Sequence, residues 1–210
     1  MTREATESSR SAMITNQSIT FFDTQFQKQV ANSDFALNPF EKVALPFVRG
    51  HVLDLGCGMG NLSIEAARLG ANVLALDASS TAIKRIEEGA SAEHLAINAV
   101  LADIGNYKIT ERFDTIIAIG LLMFFKRKKA LALLADIQEH VAEHGLAIIN
   151  VLTEATTFMG MFEPGNYYLM GQNELDDRFK GWNVLRSIRD SFDAPGNTRK
   201  EFSTVIAQKK

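Results

Sequence analysis

Apolar residues along the chain alternate between two spacings, and the alternation sets out a fold. Short runs at 52–55, 73–76, 96–101, 115–119 and 146–151 are apolar at nearly every position, the pattern of strands buried on both faces and paired in parallel. Between them, 61–69, 79–88 and 126–142 carry apolar residues every three or four positions, which predicts crossover helices, the last ending near Gly145. Segments 182–192 and 198–208 alternate with period two around Asp193-Ala194-Pro195-Gly196-Asn197, which is hairpin chemistry. A further helix is expected near 172–180. The predicted architecture is α/β: a doubly wound, seven-stranded sheet of five parallel strands plus a C-terminal antiparallel hairpin.

Ahead of this core, Ile19, Phe21, Phe22, Phe26 and Val30 recur at helical spacing, and Asn38-Pro39 opens a second helix running to Phe47. Residues 1–16 are polar, rich in Ser, Thr and Glu, and aperiodic, so a mobile tail is expected there. Residues 17–210 are read as one domain, with N-terminal helices over 17–49 and a lid over 153–171. At 210 residues and 46% hydrophobic content, one core suffices. A formal charge of -3 gives no electrostatic basis for gripping duplex nucleic acid. The single cysteine, Cys57, excludes an internal disulfide. No run suits a leader or membrane span, so a cytoplasmic protein is expected.

The richest chemistry lies in Val52-Leu53-Asp54-Leu55-Gly56-Cys57-Gly58-Met59-Gly60-Asn61, a strand entering a glycine-alternating turn and then a helix. Glycines permit positive φ and allow a ligand close to bare backbone, while the helix start offers unpaired N–H groups. The spacing departs from G-x-G-x-x-G, the pyrophosphate loop. Asp54, two residues before the first glycine, would repel a phosphate but attract an α-ammonium such as that of S-adenosylmethionine. Asp54, Asp77 and Asp103 each close an apolar strand, and strand ends of a doubly wound sheet line one crevice. An acid after the second strand suits a ribose diol in either a nicotinamide or an S-adenosylmethionine site, and it also suits a helix cap. Asp103 also reads as a turn acid.

Residues 51–210 resemble class I S-adenosylmethionine-dependent methyltransferases in the order of four segments: 52–60, Leu74-Ala75-Leu76-Asp77, Ala102-Asp103-Ile104 and Phe113-Asp114-Thr115-Ile116-Ile117. Within that class, Ile119-Gly120-Leu121-Leu122-Met123-Phe124-Phe125, Gly181-Trp182 and the closing 201–210 are similar to the bacterial tellurite-resistance methyltransferases. The resemblance implies a Rossmann-like methyltransferase fold and S-adenosylmethionine as cofactor, released as S-adenosylhomocysteine. It implies that Asp77 holds the ribose hydroxyls, Asp103 accepts from the adenine amino group, Ile104 packs on adenine and Gly120 lies beside the methionine moiety. Asp54, Gly56, Cys57, Gly58, Gly60, Asn61 and Ala78 complete the expected cofactor set. The subfamily's histidine-arginine pair near the last hairpin is not matched; Arg186, Arg189 and Arg199 stand there without a histidine.

The expected reaction is in-line methyl transfer to a small-molecule acceptor, an anionic one included. Tellurite- or selenite-type oxyanions are one alternative; a nicotinamide-dependent oxidoreductase and a non-catalytic S-adenosylmethionine-binding protein are others. A sulfonium carries its own leaving group, so alignment and exclusion of water matter more than a base. Candidates to orient the acceptor are Tyr167 and Tyr168 in the lid and Arg189 and Arg199 in the hairpin. Phe21, Phe22 and Phe26 read as a packed helix stripe, with closure of the other side of the acceptor pocket as the alternative. His51 and His94 are expected opposite the cofactor, and His140 and His144 at a helix C-terminus, where the i, i+4 pair lacks a third metal ligand. No metal is expected. Lys126-Arg127-Lys128-Lys129 reads as a solvated helix start, with steering of an anion as the alternative.

Overall fold

The structure is a computed structural model describing residues 17–210; the expected mobile tail, 1–16, lies outside the described residues. The seven strands are β1 (His51–Leu55), β2 (Asn72–Asp77), β3 (Ile97–Leu101), β4 (Phe113–Ile119), β5 (Val141–Leu152), β6 (Asn183–Ala194) and β7 (Thr198–Gln208). They form one sheet in the order β3-β2-β1-β4-β5-β7-β6. Neighbours from β3 through β5 are parallel, while β7 runs antiparallel to both β5 and β6. This is the predicted plan. The chain starts in the centre at β1, winds outward to β3, then returns to β4, so the switch point falls between β1 and β4 and opens a crevice at the strand ends.

Among the described residues six α-helices surround the sheet: α1 (Gln17–Asn32), α2 (Pro39–Ala44), α3 (Asn61–Arg68), α4 (Ser80–Glu93), α5 (Arg127–His140) and α6 (Glu174–Arg178). The central strands carry the core, with Val52, Leu53, Ile116, Ile148 and Ile149 fully buried. No helix among the described residues is long and apolar enough to cross a membrane.

Several expected boundaries move. β3 is an edge strand with Val100 and Leu101 well exposed, so it is not buried on both faces. α4 continues past Glu88 to Glu93 because the small residues of its last turns pack inward at Ala90. α5 stops at His140, and the chain extends at once into β5, with a register shift opposite Phe113 and Thr115. Gly145 is therefore inside β5 and not at a helix end: a Cβ there would lie 2.9 Å from the carbonyl oxygens of Ala142 and Asp114. His144 moves with it, into β5 at a φ of 60°. His140 does end α5, where its ring pairs with Asp136 at 3.1 Å.

Candidate active site

Along the carboxyl ends of the strands lies a cavity of about 520 Å³. Its wall follows the sheet order: Asp103 and Ile104 after β3, Asp77 and Ala78 at β2, Asp54, Gly56, Cys57 and Gly58 at β1, Gly120 after β4, Asn150 and Leu152 on β5, and Lys200 and Phe202 on β7. Asn61, at the start of α3, also faces it. Of the expected cofactor set only Gly60 is absent from the lining. A Cβ at Gly60 would strike Ile86 at 2.4 Å, so this glycine lets α3 pack on α4.

The glycine turn works differently from the expectation. The Gly56 and Cys57 N–H groups both donate to the Leu76 carbonyl, at 2.8 and 3.0 Å, and Gly60 N–H donates to the Cys57 carbonyl at 2.9 Å. Gly58 N–H donates to Asp77 Oδ2 at 2.9 Å. One of these four loop amides is satisfied inside the turn and three by the end of β2, because β1 and β2 are adjacent and the turn leans on that end. The turn offers the cavity shape rather than donors: Gly58 has a φ of 54°, and a Cβ there would touch the Phe26 ring at 3.4 Å.

Each acid has a distinct setting. Asp54 is 4% exposed and accepts 2.6 Å from Ser63 Oγ. Burial pushes its carboxyl up to about 7, the Ser63 bond opposes this, and the charges of Glu41 and Asp77 reinforce it. Asp77 is also pushed up by burial, against the pull of backbone donors from Ser79, Gly58 and Ala78. It does not cap α4; Ser79 does, its Oγ accepting from Ala82 N–H. Asp103 accepts 2.9 Å from Gly105 N–H and 2.7 Å from Asn106 Nδ2, the geometry of a turn acid, while still lining the cavity. Burial also pushes the Cys57 thiol well up, so it is a packing group and not a nucleophile.

Gly120 takes a φ of 66° with nothing within 4 Å of a Cβ position, so the cavity is open over it. Its N–H donates 3.0 Å to the Asn150 carbonyl. Asn150 Nδ2 donates 2.8 Å to Thr204 Oγ1, which fixes the amide, and its Oδ1 is buried without a partner among the described residues. Asn61 Oδ1 is likewise buried and unpartnered.

The four acceptor-orienting candidates lie outside this lining. Tyr168 donates its hydroxyl to Glu174, beneath the Arg127 guanidinium. Tyr167 stacks on Phe162 with ring centres 5.1 Å apart. Arg189 pairs with Asp176, and Arg199 is shared among Asp193, Glu201 and Ser191. His51, packed on Phe113, and the other three histidines also stay outside. Arg127 pairs with Glu174 at 3.7 Å, which offsets its place at a helix start, and none of 126–129 reaches the wall. From segment 153–171, Met161 does.

The N-terminal segment supplies a further part of the wall. Phe21, Phe22 and Phe26 of α1 line the cavity, and Phe21 also packs on the cluster of Met123, Leu152, Met161 and Phe162. Phe22 meets Phe124 edge-on at 5.1 Å, Ser18 Oγ donates 3.1 Å to the Met161 carbonyl, and Ser79 Oγ donates to Asp23. At the opening of α2, Asn38 and Glu41 form a reciprocal capping box. It holds Glu41 in the wall, with its carboxyl pushed up by burial. Asn38-Pro39 with Glu41 two residues on was the available signal.

The profile of the family described as "Tellurite resistance protein TehB" matches residues 17–198. The chain belongs to that family. A relative from Haemophilus influenzae (strain 10810), named "Probable S-adenosyl-L-methionine-dependent methyltransferase TehB", is 31% identical over 165 residues, which are 76% of this chain and 57% of the relative. The family member described here thus spans little more than half the length of that relative. The crystal structure of TehB from Haemophilus influenzae superposes with a TM-score of 0.72 at 24% identity, over 92% of this chain and 67% of that one. The N-methyltransferase NodS from Bradyrhizobium japonicum WM9, solved with S-adenosyl-l-homocysteine, gives 0.64 at 15% identity, covering 90% of this chain and 98% of its own. The fold is that of class I methyltransferases.

Proposed function

We propose that the chain is an S-adenosylmethionine-dependent methyltransferase acting on a small-molecule acceptor. The observation that carries the reading is the single cavity on which Asp103, Asp77, Asp54 and Gly120 follow one another across the strand ends, in a chain of the TehB family. The residues suit the cofactor. Asp54 is a buried carboxyl with no cation paired to it among the described residues, and an α-ammonium would supply one. Gly120 leaves room for a methionine backbone. Asn150 Oδ1 is an acceptor awaiting a donor. Asp77, held by backbone N–H groups of Gly58 and Ser79 on one lone pair of each oxygen, keeps lone pairs for a ribose diol. Asp103 and Ile104 take the adenine edge and face.

When bound, the cofactor's sulfonium supplies the electrophilic methyl group. The chain's own residues bind, orient and dry the site: α1 and its phenylalanines roof the cavity, which strengthens the attraction between Asp54 and an ammonium. No histidine lines the cavity among the described residues, which favours acceptors that are already nucleophilic near pH 7. The cavity continues past Gly120 to β5 and β7, and this room for an acceptor supports an enzyme over a non-catalytic binder. The turn spacing and family membership weigh against the nicotinamide reading. The family match supports a narrower reading, a tellurite- or selenite-type oxyanion acceptor, although Arg189 and Arg199 are engaged in ion pairs elsewhere.

Calorimetry with S-adenosylmethionine, S-adenosylhomocysteine and a nicotinamide dinucleotide tests the reading. Heat is expected with the first two, and it should vanish in Asp77→Ala. Heat with the dinucleotide alone would overturn the proposal. Release of S-adenosylhomocysteine across thiols, oxyanions, carboxylic acids and amines then identifies the acceptor.

A further inference from the structure

The acceptor end of the cavity has an unbalanced charge. Strand alternation puts Lys200, Phe202 and Thr204 of β7 on one face. Across the ladder, Thr204 pairs with Asn150 and Phe202 with Leu152. The wall therefore runs from Asn150, beside Gly120, across an apolar stretch of Leu152, Phe202, Phe40 and Met161, to Lys200. Phe40 and Phe202 meet at a tilt of 51° with ring centres 4.6 Å apart, so the stretch is wide and aromatic. Lys200 is the one Lys or Arg among the described lining residues. Its ammonium lies 4.8 Å over the Phe158 ring and is in none of the ion pairs formed among the described residues.

A half-buried ammonium with only an aromatic ring for company is poorly compensated. The acids of the cavity do not serve it. Glu41 is tied to Asn38, and Asp54, Asp77 and Asp103 stand on β1, β2 and after β3, across the sheet from β7. Burial correspondingly pulls the Lys200 ammonium down from its ordinary range. Four residues of strand separate Lys200 from Thr204, about 13 Å of chain, so an acceptor touching both ends needs a body between them.

Resting on the methyltransferase reading above, we propose that Lys200 is a specificity residue that anchors the acid group of a small organic anion, whose apolar body lies on Phe40 and Phe202 and whose nucleophilic end points to Gly120. A bare inorganic oxyanion fills only one part of that wall. Lys200 is a binding group here and takes no part in bond making.

The test pairs two probes that differ only in the acid, 4-mercaptobenzoate and thiophenol. Each is titrated calorimetrically into full-length protein saturated with S-adenosylhomocysteine, and each is assayed for methylation. In the wild type, 4-mercaptobenzoate should bind about tenfold or more tightly than thiophenol, the usual advantage of a charge-assisted contact. Lys200→Met should abolish that advantage, Lys200→Arg should retain most of it, and both variants should bind S-adenosylmethionine as the wild type does. Equal binding of the two probes by the wild type, an unchanged preference in Lys200→Met, or preferential methylation of selenite would each overturn the proposal. Cofactor binding alongside any of these results leaves the methyltransferase reading standing, whereas absence of cofactor heat in the wild type removes both.

Discussion

Asp54→Asn should make the unliganded protein more stable and a worse ligand binder, and the two effects share one cause. The Asp54 carboxyl is buried at the end of β1, and its ionisation is pushed up to about 7 from the ordinary 3.8. Each pH unit of displacement is worth about 1.36 kcal/mol, so the ionised form costs the folded state about 4 kcal/mol. That is an upper figure, because water in the cavity solvates the charge. The sign follows from the direction. A carboxyl raised on folding contributes stability that is complete below pH 3.8 and is lost as pH rises to about 7. The amide introduced by Asp54→Asn does not titrate, so the variant avoids that loss.

The sole tryptophan, Trp182, reports unfolding because it packs edge-on against the buried Phe179 at 5.3 Å. Urea titrations followed by its fluorescence from pH 4 to pH 8 should show the variant's advantage growing up to about pH 7 and then levelling. For a chain of this length each kcal/mol moves the melting temperature by about 2–4 °C, so several degrees are expected at pH 8. Wild-type affinity for S-adenosylmethionine should rise up to tenfold per pH unit below 7, as the carboxylate forms, and then level. The variant's affinity should be at least tenfold lower at pH 8 and flat with pH. A stability difference that does not change between pH 4 and pH 8, or a cofactor affinity independent of pH in the wild type, would refute the reasoning.

Other substitutions separate cofactor, roof and surface. Gly120→Ala should lower the melting temperature by about 2–4 °C, since a φ of 66° costs a residue with a Cβ about 1 kcal/mol; it should also weaken calorimetric binding of S-adenosylhomocysteine, and an unchanged affinity would remove Gly120 from the cofactor wall. Phe22→Ala opens the roof beside Phe124, so stopped-flow dissociation of S-adenosylhomocysteine should quicken several-fold; an unchanged rate would leave α1 as mere packing. Arg189→Met and Arg199→Met break surface ion pairs worth at most about 1 kcal/mol, so kcat and KM should stay within twofold, and a tenfold fall in kcat/KM would return these arginines to the acceptor.

The parallel half of the molecule was readable because its signals are local. A strand buried on both faces is apolar at successive positions, and the acid that ends the run marks the crevice, so Asp54, Asp77 and Asp103 could be placed before any packing was known, whereas Gly120 was placed by the family resemblance alone. Side chains whose direction depends on a distant partner were not readable in this way. Tyr168 turns away from the cavity because Glu174, six residues on, takes its hydroxyl, and Arg189 is drawn outward by Asp176 on α6. Period two along β7 showed that Lys200 and Phe202 share a face, but not that this face meets the cavity, which follows from pairing with β5. The stripe of α1 was visible as a stripe; nothing within it distinguishes phenylalanines that line a cavity from phenylalanines in a core.

The topology turns this asymmetry into a division of labour. β1, β2 and β4 are each fixed between two partners at the centre of the sheet, so the groups at their ends cannot shift without disturbing the core, and these are the groups expected to hold the cofactor. The acceptor end is assembled from α1, the Asn38-Glu41 capping box, segment 153–171 and the antiparallel pair, of which β6 has a single partner. Apart from β7, which is laddered to both β5 and β6, these parts meet through ring contacts and a few hydrogen bonds, such as Ser18 to the Met161 carbonyl. Their contacts can be exchanged at small cost to the sheet. Changes in acceptor preference should therefore arise around Phe40, Lys200 and Phe202, where a side chain can be replaced without moving Asp54, Asp77 or Gly120, and a fold that keeps one cofactor site can accommodate many acceptors.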